Sequence, residues 1–138
     1  MGAKILVYDP FIEKDSLVSG EHMLDLEEGL KKSRMVSLHS AGEDQILGQS
    51  EINLLQDGSF LLNSARGGLV CEDAVCDALD SGKLAGVWFD SFCEEPYTGR
   101  LCDYPQALLT PHASTYTEQC RLSMEMQAAE NLVRDLGL

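Results

Sequence analysis

"FLLNSARGGLV" (residues 60–70) runs from an apolar stretch of strand type into an arginine followed by two glycines. The apolar half reads as a β-strand covered on both faces, and the polar half as the point where that strand leaves the core. The chain holds only ten Lys and Arg against 23 Asp and Glu. A cation where a buried strand emerges therefore points to an anionic partner at that spot. The two glycines suggest a backbone that turns tightly or lets a ligand approach closely.

Outward from this stretch, short apolar runs alternate with helical patterns. Candidate strands are "KILVY" (4–8), "MVSLH" (35–39), "SFLLNS" (59–64), "AGVWFD" (85–90) and "ALLT" (107–110). This alternation predicts βαβ units, hence the α/β class with a parallel sheet flanked by helices. Between the strands, "LDLEEGLKK" (24–32) has helical spacing, and "SEINLL" (50–55) offers Ser50 as an N-cap. "EDAVCDALDSGK" (72–83) places Glu72 and Asp73 in a first helical turn and Gly82 just past the helix end. Leu122, Met126, Ala129, Val133 and Leu136 form one apolar stripe on a long final helix, which core or dimer packing would bury. "CEEPYTGRLCDYP" (93–105) reads as a long loop.

The bulk numbers narrow the function. The chain has 138 residues, 44% of them hydrophobic, which suits one domain with a sizeable core. A formal net charge of −13 opposes nucleic acid and anionic membrane surfaces, and no apolar run is long enough to cross a bilayer. A signal-peptide pattern is also lacking, so a cytoplasmic location is expected. Five cysteines, at 71, 76, 93, 102 and 120, form no C-x-x-C pair, and the three histidines show no metal-ligand spacing, so no metal site is expected.

In open parallel sheets ligands bind beyond the carboxyl ends of the strands. Here every candidate strand ends in polar or ionisable residues: Tyr8-Asp9-Pro10, His39, Arg66-Gly67-Gly68, Asp90 and Thr110-Pro111-His112. In a parallel sheet these distant residues share one cleft. Singly each has an ordinary structural reading, Asp9 as a turn starter and Glu95 as one acid among 23.

"NSARGGLV", "DALDSGKLAGVWFDSFCEEPY" and "ALLTPHAS", in this order, resemble the nucleotide-binding domain of the NAD-dependent D-2-hydroxyacid dehydrogenases, the phosphoglycerate dehydrogenase-like family. The resemblance implies a Rossmann-like fold, NAD as cofactor and a small 2-hydroxy or 2-oxo acid as substrate. It implies that Arg66 grips the substrate carboxylate, which suits its planar fork. His112 matches the base that takes the hydroxyl proton, and Glu95 the acid that orients it. Asp90 matches the residue holding the nicotinamide carboxamide, and Asp9 the acid that binds the adenine ribose and favours NAD over NADP. His39, Ser64, Ala65 and residues after His112, including Ser114, match positions that line the cofactor. The glycines beside Arg66 would then let cofactor and substrate approach.

Three features depart from the family pattern. Ala113-Ser114-Thr115 stands where a bulky aliphatic and small residues are usual, and Ala41 stands where many members have proline. No glycine-rich dinucleotide turn occurs in the sequence. The expectation is a partial NAD-binding domain over residues 1–138 that begins at the family's second strand, lacks the first β-α unit and the substrate domain, and is inactive alone. The strand order 3-2-1-4-5-6 puts the lacking strand at the centre. Residues 4–8 and 59–64 are accordingly expected to border a gap, closed by their direct pairing or by another chain, as in a homodimer. The alternative is a non-catalytic nucleotide-binding or dimerisation module, as in corepressors of the same fold family.

Overall fold

The computed structural model describes residues 2–17, 21–42 and 44–137. Its elements follow the expected alternation: β1 (Ile5–Val7), β2 (Glu21–Met23), α1 (Leu26–Lys32), β3 (Met35–Leu38), α2 (Gln49–Leu54), β4 (Ser59–Asn63), α3 (Glu72–Asp80), β5 (Leu84–Phe89), β6 (Ala107–Leu109) and α4 (Glu118–Leu136). All pairings are parallel, in two sheets of order β1-β2 and β3-β4-β5-β6. The result is an α/β, Rossmann-like sheet with flanking helices, and no described strand pairs β1 with β3.

This topology corrects two expectations. The strand whose free edge borders the gap is β3, because β4 is paired on both sides, with β3 and with β5. Residues 4–8 and 59–64 do not pair; β1 finds its partner in β2 instead. That short strand falls in "EHM" (21–23), which has no apolar run to announce it.

The helices start and stop for local reasons. Asp25 caps α1 by accepting from the Glu28 N–H at 2.8 Å, and Glu27 and Glu28 pair with Lys31 and Lys32 one turn later. Ser50 is not the cap of α2. The helix begins two residues earlier than a Ser50 cap would start it, after Gly48, whose N–H donates to Glu51 at 2.8 Å, while the Ser50 hydroxyl donates to the same carboxylate. The start is set by fully buried Leu47, which bridges to Val70. Gly82 follows the end of α3 with φ +74, a left-handed turn that glycine adopts without a steric penalty. The 93–105 loop contains one short 3-10 turn, Arg100–Asp103, with Leu101 buried beneath it.

Strand parity decides which face is buried. Val36, Leu38, Leu61, Val87, Phe89 and Leu109 point to one side of the four-stranded sheet, where α2 and α3 bring Ile52, Val75 and Leu79 into a single core. Met35, Phe60, Leu62, Trp88 and Leu108 point to the other side, where Met35 and Leu108 are each 62% exposed and Phe60 44%. The apolar stripe of α4 is not in the core: the helix has no buried residue. Its ends are well formed all the same, with Thr117 accepting from the Cys120 N–H and Gly137 turning left-handed.

Candidate active site at the carboxyl ends of the strands

Parallel β4, β5 and β6 open their carboxyl ends toward one rim. At the end of β4, Asn63 is fully buried after the apolar run Phe60–Leu62. Its side-chain carbonyl accepts from the Ala65 N–H at 3.1 Å, and its amide donates to the Arg66 carbonyl at 2.8 Å. A buried amide satisfied in this way fixes the 64–66 turn. Arg66 is left extended and exposed, with its guanidinium donating to the Ala65 carbonyl and making no ion pair among the described residues.

Gly67 has a different task from the one expected. A Cβ there would lie 2.3 Å from Phe92 C and Cys93 N, so the glycine lets the loop after β5 pack against the Arg66 turn. Close approach is indeed its purpose, but the approaching group is protein backbone. The Phe92 N–H in turn donates to Glu95 Oε1 at 3.1 Å. This bond first, and the His112 ring second, hold the Glu95 carboxyl below its ordinary range. Tyr97 anchors the same loop, stacking on Phe92 with ring centroids 4.2 Å apart and donating to Glu72 at 2.7 Å. Burial first and the Glu72 contact second push its hydroxyl well above the ordinary tyrosine value.

At the end of β6 the chain turns through His112, whose φ of 52° lies in the left-handed region. Such a backbone persists in a non-glycine residue when its surroundings hold it. Here the holding group is Asp90, fully buried at the end of β5. Its Oδ1 accepts from the Thr110 hydroxyl at 2.5 Å and the Ala113 N–H at 2.9 Å, and its Oδ2 from the Ser114 N–H at 2.9 Å. Burial by itself would raise this carboxyl, but the Thr110 hydroxyl and the two amides outweigh it and bring the pKa down to about 2. Trp88 Nε1–H donates to the Thr110 oxygen at 3.1 Å, tying the sheet into the same network. The His112 ring then meets Glu95, with Nδ1 at 3.0 Å from Oε1 and 3.1 Å from Oε2. Nε2 is the nitrogen left for an incoming group.

The expected site residues therefore fall into three sets. Arg66, Glu95 and His112 are joined by a continuous path: Arg66 adjoins Gly67, which packs on Phe92–Cys93, whose Phe92 binds Glu95, which binds His112. Asp90 and Ser114 belong to the frame of this site. The Asp90 carboxylate faces the 110–114 turn with both oxygens engaged, so its visible work is to position His112. Ser64, Ala65 and His39 lie at the ends of neighbouring strands, His39 with its Nε2 2.9 Å from the Ser37 hydroxyl. Asp9 lies two residues past β1, a strand of the separate two-stranded sheet, its Oδ1 accepting from the Phe11 N–H at 2.8 Å.

Sequence reading passed over Asn63 and Trp88, and placed Thr110 at its strand end without giving it a role. Asn63 carried a usable signal, since a polar amide inside a buried strand needs partners close by. Among the described residues no group of three or more His, Cys, Asp or Glu could hold a metal ion.

Known proteins resemble this chain in sequence and in fold. The family model "D-isomer specific 2-hydroxyacid dehydrogenase, NAD binding domain" matches residues 1–114. D-3-phosphoglycerate dehydrogenase of Escherichia coli (strain K12) is 36% identical over 123 residues, covering 83% of this chain and 29% of that protein. A glyoxylate reductase from Paecilomyes thermophila has a TM-score of 0.83 at 32% identity, covering 94% of this chain and 40% of that one. The NAD complexed form of a D-isomer specific 2-hydroxyacid dehydrogenase from Lactobacillus delbrueckii ssp. bulgaricus has a TM-score of 0.82 at 26% identity, covering 99% of this chain and 47% of that one. The chain thus spans less than half the length of each of these relatives.

Proposed function

Because the chain belongs to the D-isomer specific 2-hydroxyacid dehydrogenases, within their NAD-binding domain, we propose that it carries the reacting half of an oxidoreductase site for a D-2-hydroxy acid and its 2-oxo acid. The observation that supports this most is the His112–Glu95 pair, held beside the Arg66 turn by contacts running through Gly67 and Phe92. An arginine fork can bind the substrate carboxylate through two parallel hydrogen bonds. Glu95 engages Nδ1 of His112, so Nε2 takes the hydroxyl proton during oxidation and returns it during reduction. Asp90 keeps that ring in place by clamping the backbone on both sides of it.

The residues fit NAD in part. Asp9 follows its strand with Oδ1 engaged locally, leaving Oδ2 as an acceptor for ribose hydroxyls. Ser64, Ala65, His39 and Ser114 stand along the rim where a dinucleotide would lie. Asp90 fits a direct carboxamide contact poorly, because its carboxylate is buried and engaged. When bound, the nicotinamide supplies the hydride acceptor. No glycine-rich turn that would seat its pyrophosphate occurs in the sequence.

On this reading the chain by itself binds NAD weakly and does not turn over. A homodimer in the cytoplasm completes the proposal. The test is an NMR titration of the 138-residue chain with NAD and, separately, with oxamate, an unreactive 2-oxo acid mimic. NAD should perturb Asp9, Ser64 and Ala65, and oxamate should perturb Arg66 and His112. Absence of both responses at millimolar ligand would sink the dehydrogenase reading, and steady NADH oxidation with any 2-oxo acid would sink the inactive part of it. A second reading, a non-catalytic dimerisation module, draws on the exposed stripe of α4. It predicts a dimer whose Arg66 ignores oxamate.

A further inference from the structure

Trp88 is the only tryptophan of the chain, and it stands in β5 two residues before Asp90. Successive strand residues alternate between faces, so Trp88 and Asp90 share one face of the sheet. On β6, Leu108 lies opposite Trp88, and Thr110, two residues further on, joins the same face. The ladder continues past both strand ends: the Asp90 N–H donates to the Asn63 carbonyl and the Thr110 N–H to the Phe89 carbonyl, each at 3.0 Å. Thr110 is therefore the diagonal neighbour of Trp88, a separation within reach of an aromatic side chain. The indole Nε1 meets the Thr110 oxygen at 3.1 Å and is, among the described residues, the one side-chain group that donates to it.

We propose that Trp88 is a positioning residue that holds the His112 imidazole in place through Thr110 and Asp90, a role that rests on the dehydrogenase reading above for its bearing on catalysis. The inventory of donors leaves one arrangement. An indole N–H donates and never accepts, a threonine hydroxyl has one proton to give, and an ionised carboxylate has none. With Trp88 donating to its oxygen, the Thr110 hydroxyl directs its proton elsewhere. Two acceptors are in reach, Asp90 Oδ1 at 2.5 Å and the Phe89 carbonyl at 3.5 Å, and the nearer, charged one takes it. Asp90 in turn accepts from the Ala113 and Ser114 N–H groups, both at 2.9 Å, immediately after His112.

The turn is thus gripped before and after the histidine, which keeps its left-handed backbone between the two holds. Trp88 stands at the head of this chain of bonds, and a donor there strengthens each bond that follows. Losing its N–H loosens the grip on the turn while leaving both members of the Glu95–His112 pair present.

The test uses the 138-residue chain without ligand, read by long-range 1H–15N correlation of the histidine rings, with circular dichroism to check that each variant is folded. Trp88→Phe keeps an aromatic ring and removes the N–H, and Thr110→Val keeps the shape and removes the hydroxyl. Each should move the His112 Nδ1 resonance and leave His39 where it is, whereas Thr110→Ser, which keeps the hydroxyl, should leave His112 near its wild-type position. Combined, Trp88→Phe and Thr110→Val should move His112 no further than Thr110→Val alone, because Trp88 acts through that hydroxyl. Benzothienylalanine at position 88 exchanges the N–H for sulfur in a ring of nearly the same shape. It should shift His112 as Trp88→Phe does, and it decides the question if the Phe variant does not fold. An unmoved His112 with the sulfur analogue, or shifts that add in the double variant, would show a packing role only and overturn the proposal. Oxamate should bind the Trp88→Phe chain about threefold more weakly than wild type, the lower end of what one neutral hydrogen bond contributes, and equal affinity would also overturn it. A wild type that ignores oxamate counts against the dehydrogenase reading instead, while the ring resonances decide the role of Trp88 without any ligand.

Discussion

The rim of the four-stranded sheet and the helix α4 are built on opposite principles. On the rim, polar groups are locked together: Asp90 alone accepts from Thr110, Ala113 and Ser114, and Asn63 closes the turn before Arg66. Helix α4 has sound caps and a regular stripe, yet it buries nothing. The contrast separates polar groups that satisfy one another within the chain from apolar area that the described residues leave exposed. Hydrogen bonds are satisfied within a few residues or one strand of their origin, whereas an apolar face needs a second surface.

The sharpest way to break the contrast is to remove the clamp. Asp90→Ala leaves one hydroxyl and two backbone donors without their acceptor in a buried site, so unfolding by urea should show a loss of about 3 kcal/mol or more. Acid titration sharpens the same point. The folded Asp90 pKa is about 2 against an unfolded value of 3.8, so its contribution is fully present above pH 4 and is lost as pH falls toward 2. That contribution is about 2 kcal/mol. Wild type should lose that much stability between those pH values, and the Asp90→Ala variant should lose correspondingly less.

A smaller effect is expected at the junction of the two loops. Gly67→Ala forces the Phe92–Cys93 backbone away, an overpacking cost of about 1–3 kcal/mol, and should move Glu95 off His112. Denaturation and the Glu95 side-chain carbon shift would record the two parts separately. The Glu95 titration offers a finer probe. Its midpoint should lie below that of an ordinary glutamate, and His112→Ala should raise it only part of the way, because the Phe92 N–H, the stronger influence, remains. The smallest effect belongs to the exposed pair itself. Glu95→Gln should leave stability nearly unchanged while disturbing the imidazole.

Much of the rim was legible in the sequence because its logic is one-dimensional. Each apolar run ended in a polar residue, and parallel pairing was enough to bring Arg66, Asp90 and His112 to the same end. The purpose of Gly67 was only half legible, since the close approach was foreseen but the identity of the approaching backbone depends on a loop 25 residues later. The role of Asp90 as a clamp was hidden for the same reason: its three partners lie 20 to 24 residues away. Strand β2 was missed because three residues held by pairing to β1 need no apolar run of their own. The burial of the α4 stripe was expected from periodicity, which shows that a face is apolar without saying which surface covers it.

The central claim is that Glu95, His112 and the Arg66 turn form one preassembled unit. Long-range 1H–15N correlation of the histidine ring nitrogens tests it most directly. If the claim holds, Glu95→Gln and Gly67→Ala will each shift the His112 Nδ1 resonance and leave His39 where it is. An unmoved His112 in both variants, in a chain shown to be folded, would contradict it.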